Sequence, residues 1–305
     1  MKNDRRNFLQ VTGKVAAGGL LLPHLACSNT SNENTDNNTE TETVMAPEQL
    51  DQFGIQLYTL RDAMPKDPKA VLKNIADYGY KQIEGYEHNK MGIFWDMGHL
   101  EFKKYLDDLG LSFVSTHCEI TKDFETKAAQ AAEIGMKYLI CPYIGAQKTM
   151  DDWKRIVDQF NACGDICKKN GIRFAYHNHE YTFEALDGII PQDYLMENVN
   201  PDTTDFELDM YWVVVAGVDP IEYLKKYPNR FKLCHVKDRI KGTPTGKGDT
   251  STTLGTGDID YARILKVAKE QGMEYYILEQ ERYDNTTPLE AAKVGATYLK
   301  NLKLV

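Results

Sequence analysis

From Phe53 onward, short apolar runs alternate with longer amphipathic stretches along the chain. Eight runs read as strands: FGIQLYT, KQIEGY, LSFVSTHC, MKYLICPY, IRFAYHNHE, TTDFELDMYW, FKLCHVKD and EYYILEQE. Between most of them apolar positions recur at helical spacing, as in DPKAVLKNIADYG, GHLEFKKYLDDLG, FETKAAQAAEIG, MDDWKRIVDQFNACGDICKKNG, DPIEYLKKYP and DYARILKVAKEQG. Five of these six stretches end in a glycine, the residue a helix C-terminus prefers, and the sixth stops at Pro228. A repeated strand–helix unit requires parallel strands, because each helix returns the chain to the same edge. Eight such units predict an α/β fold, a closed (β/α)8 TIM barrel forming a single domain over residues 51–305. A doubly wound open sheet would announce a glycine-rich first turn, and GIQLYTLRD holds no G-x-G-x-x-G.

Catalytic groups of such barrels sit at the C-terminal ends of strands, and side chains two apart on a strand share a face. Strand five then turns Ala175, His177 and His179 one way, and Phe174 and Tyr176 the other. In strand six Glu207 and Asp209 oppose Phe206, Leu208 and Met210; His235 pairs with Lys237 in strand seven, and Glu279 with Glu281 in strand eight. Strand two adds Glu84 and strand three His117. Outward positions must be apolar to pack a helix ring, whereas a mouth filled with imidazoles and carboxylates is costly without a ligand. A solitary strand histidine is usually a hydrogen-bonded core residue. Two imidazoles and two carboxylates in register on four consecutive strands are better explained as a shell for a divalent metal (Mn, Co, Zn or Mg) made by His177, Asp209, His235 and Glu279. His179, one pleat nearer the mouth, is expected to meet substrate.

Composition narrows the partners. With 42% apolar and 27% charged residues and a net charge of −9, the chain has no basic cluster suited to nucleic acid. The first residues stand apart. NDRRNFLQVTGKVAAGGLLLPHLAC pairs two arginines with Phe8 and Leu9 and then runs apolar over residues 15–26, too short for the ~20 residues of a membrane span. Residues 1–27 are expected to be an export signal: Arg5-Arg6-x-Phe8-Leu9 resembles the twin-arginine motif, and Leu25-Ala26-Cys27 the end of a lipoprotein cleavage box. Residues 28–50, nearly free of apolar side chains, are expected to be a disordered polar linker. An exported protein follows, periplasmic or held at the membrane only by a lipid at Cys27, and a homo-oligomer is compatible with it. The other five cysteines show no C-x-x-C and are expected to be buried free thiols.

The segments YHNHEY, FELDMYWVVVAGVDPIEYL, HVKD, LGTGDIDY and YYILEQE together resemble the xylose isomerase-like barrels, the sugar phosphate isomerase/epimerase superfamily, from about Phe53 to the C-terminus. The resemblance implies a metal held by residues of strands five to eight, matching Asp209, His235 and Glu279. It departs at strand five, where many sugar epimerases of this type carry a glutamate and this chain has His177, and near Trp212, where ketose epimerases often place a histidine. The expected function is a divalent-metal-dependent sugar isomerase or epimerase, abstracting a proton α to a carbonyl of a sugar or keto-sugar through a metal-bound enediolate. Glu279 is the expected base, Lys237 the oxyanion partner and His179 a proton donor; Glu84 and His117 face substrate, and Trp95 in MGIFWDMGHL forms a lid. The same enediolate can expel a β-substituent, so a keto-sugar dehydratase or keto-glycoside lyase is the runner-up. A non-catalytic sugar-binding lipoprotein is the alternative from another class. LGTGDID is only a weak phosphate signal, which favours unphosphorylated substrates.

Overall fold

Parallel strands close into a ring in the computed structural model, which describes residues 48–305. The first seven are β1 (Gly54–Gln56), β2 (Gln82–Tyr86), β3 (Ser112–His117), β4 (Tyr138–Cys141), β5 (Arg173–His177), β6 (Thr204–Asp209) and β7 (Phe231–Val236). A short antiparallel ribbon, β8 (Asp238–Arg239) with β9 (Ser251–Thr252), follows outside the ring. The eighth barrel strand, β10 (Tyr275–Leu278), pairs with β7 on one side and β1 on the other, which completes the closed barrel expected from the sequence.

The six expected helices are α1 (Pro68–Tyr78), α2 (His99–Asp108), α3 (Phe124–Glu133), α4 (Met150–Lys169), α7 (Pro220–Lys226) and α8 (Tyr261–Glu270); α5 (Pro191–Asn198), α6 (Met210–Val215) and α9 (Pro288–Asn301) join them. The run TTDFELDMYW, expected as one strand, changes state at its middle. Asp209 ends β6, and its Oδ1 accepts from the Trp212 amide at 3.0 Å, capping α6. Met210 is therefore helical and has no place in the strand alternation.

Alternation separates two cores. Outward residues such as Phe174, Tyr176, Leu208, Cys234, Val236 and Leu278 pack beneath the helices. Inside the ring, Val114, Tyr138, Ile140, Ala175 and Leu233 form a separate apolar floor. Two residues further along β5 and β7 the inward positions become His177 and His235. The polar site stands on this floor.

The N-terminal boundary of the barrel falls earlier than residue 51. Glu48 pairs with Leu304 as a β-bridge, and its carboxylate lies 2.8 Å from both Lys266 and Lys269, while Leu50 packs on the core. Among the described residues the compact unit includes everything from Glu48 to Val305. The expected signal and residues 28–47 of the linker lie outside the described residues, as does Cys27. Cys118, Cys141, Cys163, Cys167 and Cys234 are buried and free. Among the described residues no helix is long and apolar enough to cross a membrane.

Candidate active site

The four expected ligands converge. His177 is the last residue of β5 and Asp209 the last of β6; His235 stands next to last in β7, and Glu279 follows β10 directly. Asn178 fixes the height of Asp209: its Oδ1 accepts from the Asp209 amide at 3.0 Å and its Nδ2 donates to the Asp209 carbonyl at 3.2 Å. With Oδ1 of Asp209 spent on capping α6, Oδ2 points inward, 3.3 Å from His177 Nε2 and 3.6 Å from His235 Nδ1. Glu279 Oε2 lies 3.2 Å from the same Nδ1. His177 Nδ1 sits 3.2 Å from the Pro142 carbonyl, which can only accept, so Nδ1 carries the proton and Nε2 keeps its lone pair.

This donor set fits a divalent cation. Donors about 2.1 Å from a shared ion sit roughly 3 to 3.4 Å apart, close to the separations found here. His235 Nδ1, fully buried, makes no hydrogen bond of good geometry although two carboxylates flank it. His177, Asp209 and His235 form one of two buried groups able to hold a metal among the described residues.

A second layer lies on the other edge of the His235 ring. There Nε2 is 2.7 Å from Glu84 Oε1 and 3.4 Å from Glu207 Oε2, and His117 Nε2 lies 2.7 Å from Glu207 and 3.2 Å from Glu84. Glu84 also accepts from Gln56 at 2.8 Å and Ser115 at 2.6 Å. It is fully buried, so it does not face substrate as expected: β2 carries it beneath the mouth, where it serves His235. Glu207 was visible as an inward neighbour of Asp209 two positions on, yet nothing in the sequence set its depth.

The charges sort by environment. Burial alone would raise Asp209 and Glu279, but the Lys237 charge holds Asp209, and His235 and Lys237 hold Glu279, well below the usual carboxylate range. Burial raises Glu207 to about 7, helped by the adjacent Glu84 charge. Burial lowers His177, and lowers His179 further with the help of His177, so both are neutral imidazoles near pH 7. His117 goes the other way: burial opposes its charge, but Glu84 and Glu207 raise it to about 10.

Above the cluster opens a cavity of about 880 Å³ whose wall includes His117, His177, His179, Glu279 and Glu281. His179 sits just beyond β5, its ring 4.8 Å from that of His177 and 5.4 Å from that of Trp212, and its buried Nδ1 has no partner. Tyr58 and Tyr143 stand at the rim, the latter 62% exposed. Two expectations change. Lys237 is fully buried off the cavity wall, with its ammonium 3.5 Å from Glu279 and bonded to Glu281, so it holds carboxylates in place and does not face a substrate oxyanion. Trp95 is 1% exposed, packed against Tyr86 and His88; as a core residue it cannot close over the mouth. Glu281, two residues beyond Glu279 on the same face, joins the wall instead.

The LGTGDID loop is no phosphate cradle. Asp238 takes up its amides: Oδ2 accepts from Gly255 at 2.9 Å and Gly257 at 2.8 Å, and Oδ1 from Ile259 at 3.3 Å. A Cβ at Gly257 would meet Asp238 Oδ1 at 2.0 Å, so only glycine permits this wrap.

Comparison with known proteins agrees with this architecture. The chain is 32% identical over 164 residues to an inosose dehydratase of Clostridium perfringens, covering 49% of this chain and 54% of that protein. It thus spans about half the length of that relative. With an inosose dehydratase of Lacticaseibacillus casei it shares 26% identity over 254 residues, 77% of this chain and 81% of the other. A solved sugar phosphate isomerase/epimerase from Parabacteroides distasonis superposes with a TM-score of 0.69 at 30% identity, covering 85% of this chain and 95% of that one. The family model of the xylose isomerase-like TIM barrel matches residues 72–302, and the chain belongs to that family.

Proposed function

We propose that the protein is a metal-dependent lyase that removes a proton α to the carbonyl of an unphosphorylated keto-sugar or keto-polyol and expels the β-oxygen substituent, as water or an alcohol. The observation that carries this reading is a pairing on the cavity wall: Glu279 and Glu281 come from just beyond β10, and the imidazoles of His177 and His179 from the end of β5. A carboxylate on one side and an imidazole on the other suit a base and a separate acid; His177 in place of a second carboxylate weakens a symmetrical two-base epimerisation.

A divalent cation held by His177, Asp209, His235 and Glu279 would supply Lewis acidity at the substrate carbonyl. Glu279 is ionised, and both its contacts use Oε2, leaving Oε1 to take the proton. The C–H electron pair first passes into the carbonyl to give an enolate, which can regain a proton, and then becomes the new C=C bond as the C–O bond at the β-carbon breaks. His179, neutral at rest and partnerless at Nδ1, takes a proton from solvent, and as the imidazolium gives it to the departing oxygen and returns to the neutral ring. Lys237, kept charged by Glu279 and Glu281 against the cost of burial, holds Glu279 in its ionised form. The inosose dehydratase names of the curated relatives support elimination from a keto-polyol.

Epimerisation by reprotonation is the second reading, favoured by the likeness to the Parabacteroides protein. Metal-loaded protein incubated with keto-inositol and 3-keto-glucosides in D₂O separates the two. Elimination gives an absorbing enone and a released water or alcohol; epimerisation gives a deuterated isomer of unchanged composition and overturns the lyase. We further propose export through residues 1–27 with lipidation at Cys27, tested by cell fractionation and fatty-acid labelling of a Cys27→Ser variant. A soluble cytoplasmic wild type would refute it.

A further inference from the structure

We infer that Glu84 is a positioning residue that dictates which nitrogen of His235 is presented to a cation, and that the order comes from backbone groups two side chains away. The inference rests on the metal reading of the site.

The chain of donors and acceptors begins at Gln56. Its Oε1 accepts from the Tyr58 amide at 3.0 Å, and its Nε2 donates to the Gly85 carbonyl at 3.1 Å. An amide N–H can only donate and a carbonyl can only accept, so the orientation of the Gln56 side chain is fixed. The same Nε2 donates to Glu84 Oε1 at 2.8 Å. Ser115 Oγ donates to the other oxygen, Oε2, at 2.6 Å. Glu84, fully buried, is thereby held as an acceptor on both oxygens. His235 Nε2 lies 2.7 Å from Oε1, so the nitrogen facing Glu84 must carry a proton. A cation binds an imidazole only at a nitrogen that gives up its proton, and with Nε2–H held by Glu84 that nitrogen is Nδ1. That is the nitrogen flanked by Asp209 at 3.6 Å and Glu279 at 3.2 Å.

The alternative use of these residues is a second cation among Glu84, His117, Glu207 and His235, which also lie close together. It conflicts with the first site. A cation at Nε2 would displace the proton that Glu84 holds there, while Nδ1 is already turned to the outer carboxylates. One ring serves one cation, with Glu84 acting as the carboxylate behind a metal-binding histidine.

Cobalt(II) binding to the full chain tests this. Wild-type protein loaded with Co²⁺ is expected to show two paramagnetically shifted, slowly exchanging imidazole N–H proton signals, one from His235 Nε2 and one from His177 Nδ1 on the Pro142 carbonyl. Glu84→Ala and the nearly isosteric Glu84→Gln are expected to weaken Co²⁺ binding by roughly tenfold to a hundredfold. The His235 signal should be lost in the alanine variant and displaced in the glutamine variant, with the His177 signal unmoved. Should the alanine variant fail to fold, the glutamine variant decides alone. Wild-type affinity within twofold and both signals unchanged in Glu84→Gln would overturn the inference and leave the metal site standing. A wild type that binds no Co²⁺ would overturn the metal reading and this inference with it.

Discussion

The two layers around His235 hold similar residues and differ in what those residues lack. On the Nε2 side, Glu84 takes hydrogen bonds from Gln56, Ser115 and His235, and His117 bonds Glu207 at 2.7 Å. On the Nδ1 side the separations are 3.2 to 3.6 Å, and Nδ1 itself is orphaned. The inner layer leaves only one carboxylate oxygen, Glu207 Oε1, without a partner, whereas the outer layer leaves a ring nitrogen unbonded between two carboxylates, an arrangement that a cation would relieve. The barrel stacks the second on the first, so the inner layer fixes the orientation of the outer one.

The sharpest way to break that division is at Glu279. Glu279→Gln keeps the shape and removes the base, so α-proton exchange in D₂O and product formation should both fall by roughly three to four orders of magnitude. Loss of metal could mimic this, so bound metal is measured alongside. Exchange persisting with metal bound would transfer the role of base to another group, with Glu281, which shares Lys237 with Glu279, the first candidate on the wall.

His179 tests the other wall. His179→Gln should slow elimination about a hundredfold, while α-proton exchange continues near the wild-type rate, because only the leaving-group proton is lost. A substrate with a better leaving group should recover much of the deficit. Equal loss of exchange and elimination would make His179 a binding residue. Chelation comes next in size. With the proposed cation held only by the folded outer layer, saturating metal at about a hundred times its Kd should add about 2.7 kcal/mol to stability, seen as a higher Tm that EDTA reverses. No shift would deprive the outer layer of its proposed occupant.

How far the sequence foretold this division depends on which direction along the barrel is asked about. Facing was legible: His177, Asp209, His235 and Glu279 alternate with residues that pack the helix ring, and a period of two needs no tertiary knowledge. Depth was not. Glu84 and Asp209 both point inward, but the height of a strand residue depends on barrel register, which shifts irregularly between Ile83 and Glu84 and again between Phe206 and Glu207. Loop direction was equally hidden, so Trp95 read as a lid although its ring folds back on Tyr86. The strand-to-helix change at Met210 was masked because MYWVVV is apolar throughout; the cap that starts the helix is Asp209, already claimed by the site.

The smallest expected effect concerns stability and belongs to the inner layer. Burial and the Glu84 charge raise Glu207 from an ordinary value near 4.5 to about 7. Between those values the folded protein holds a proton that the unfolded chain has released, so stability falls as pH rises through the window. Below it both states are protonated and the contribution is fully present; above it both are ionised and the contribution is lost. Glutamine is neutral throughout. Metal-free Glu207→Gln should therefore gain on the wild type by about 1 to 3 kcal/mol between pH 4.5 and pH 8, measured by urea unfolding at both ends. A difference that stays flat would mean that His117, only 2.7 Å away, neutralises Glu207 across the whole range. The inner layer would then be a permanent ion pair, its support of His235 independent of pH.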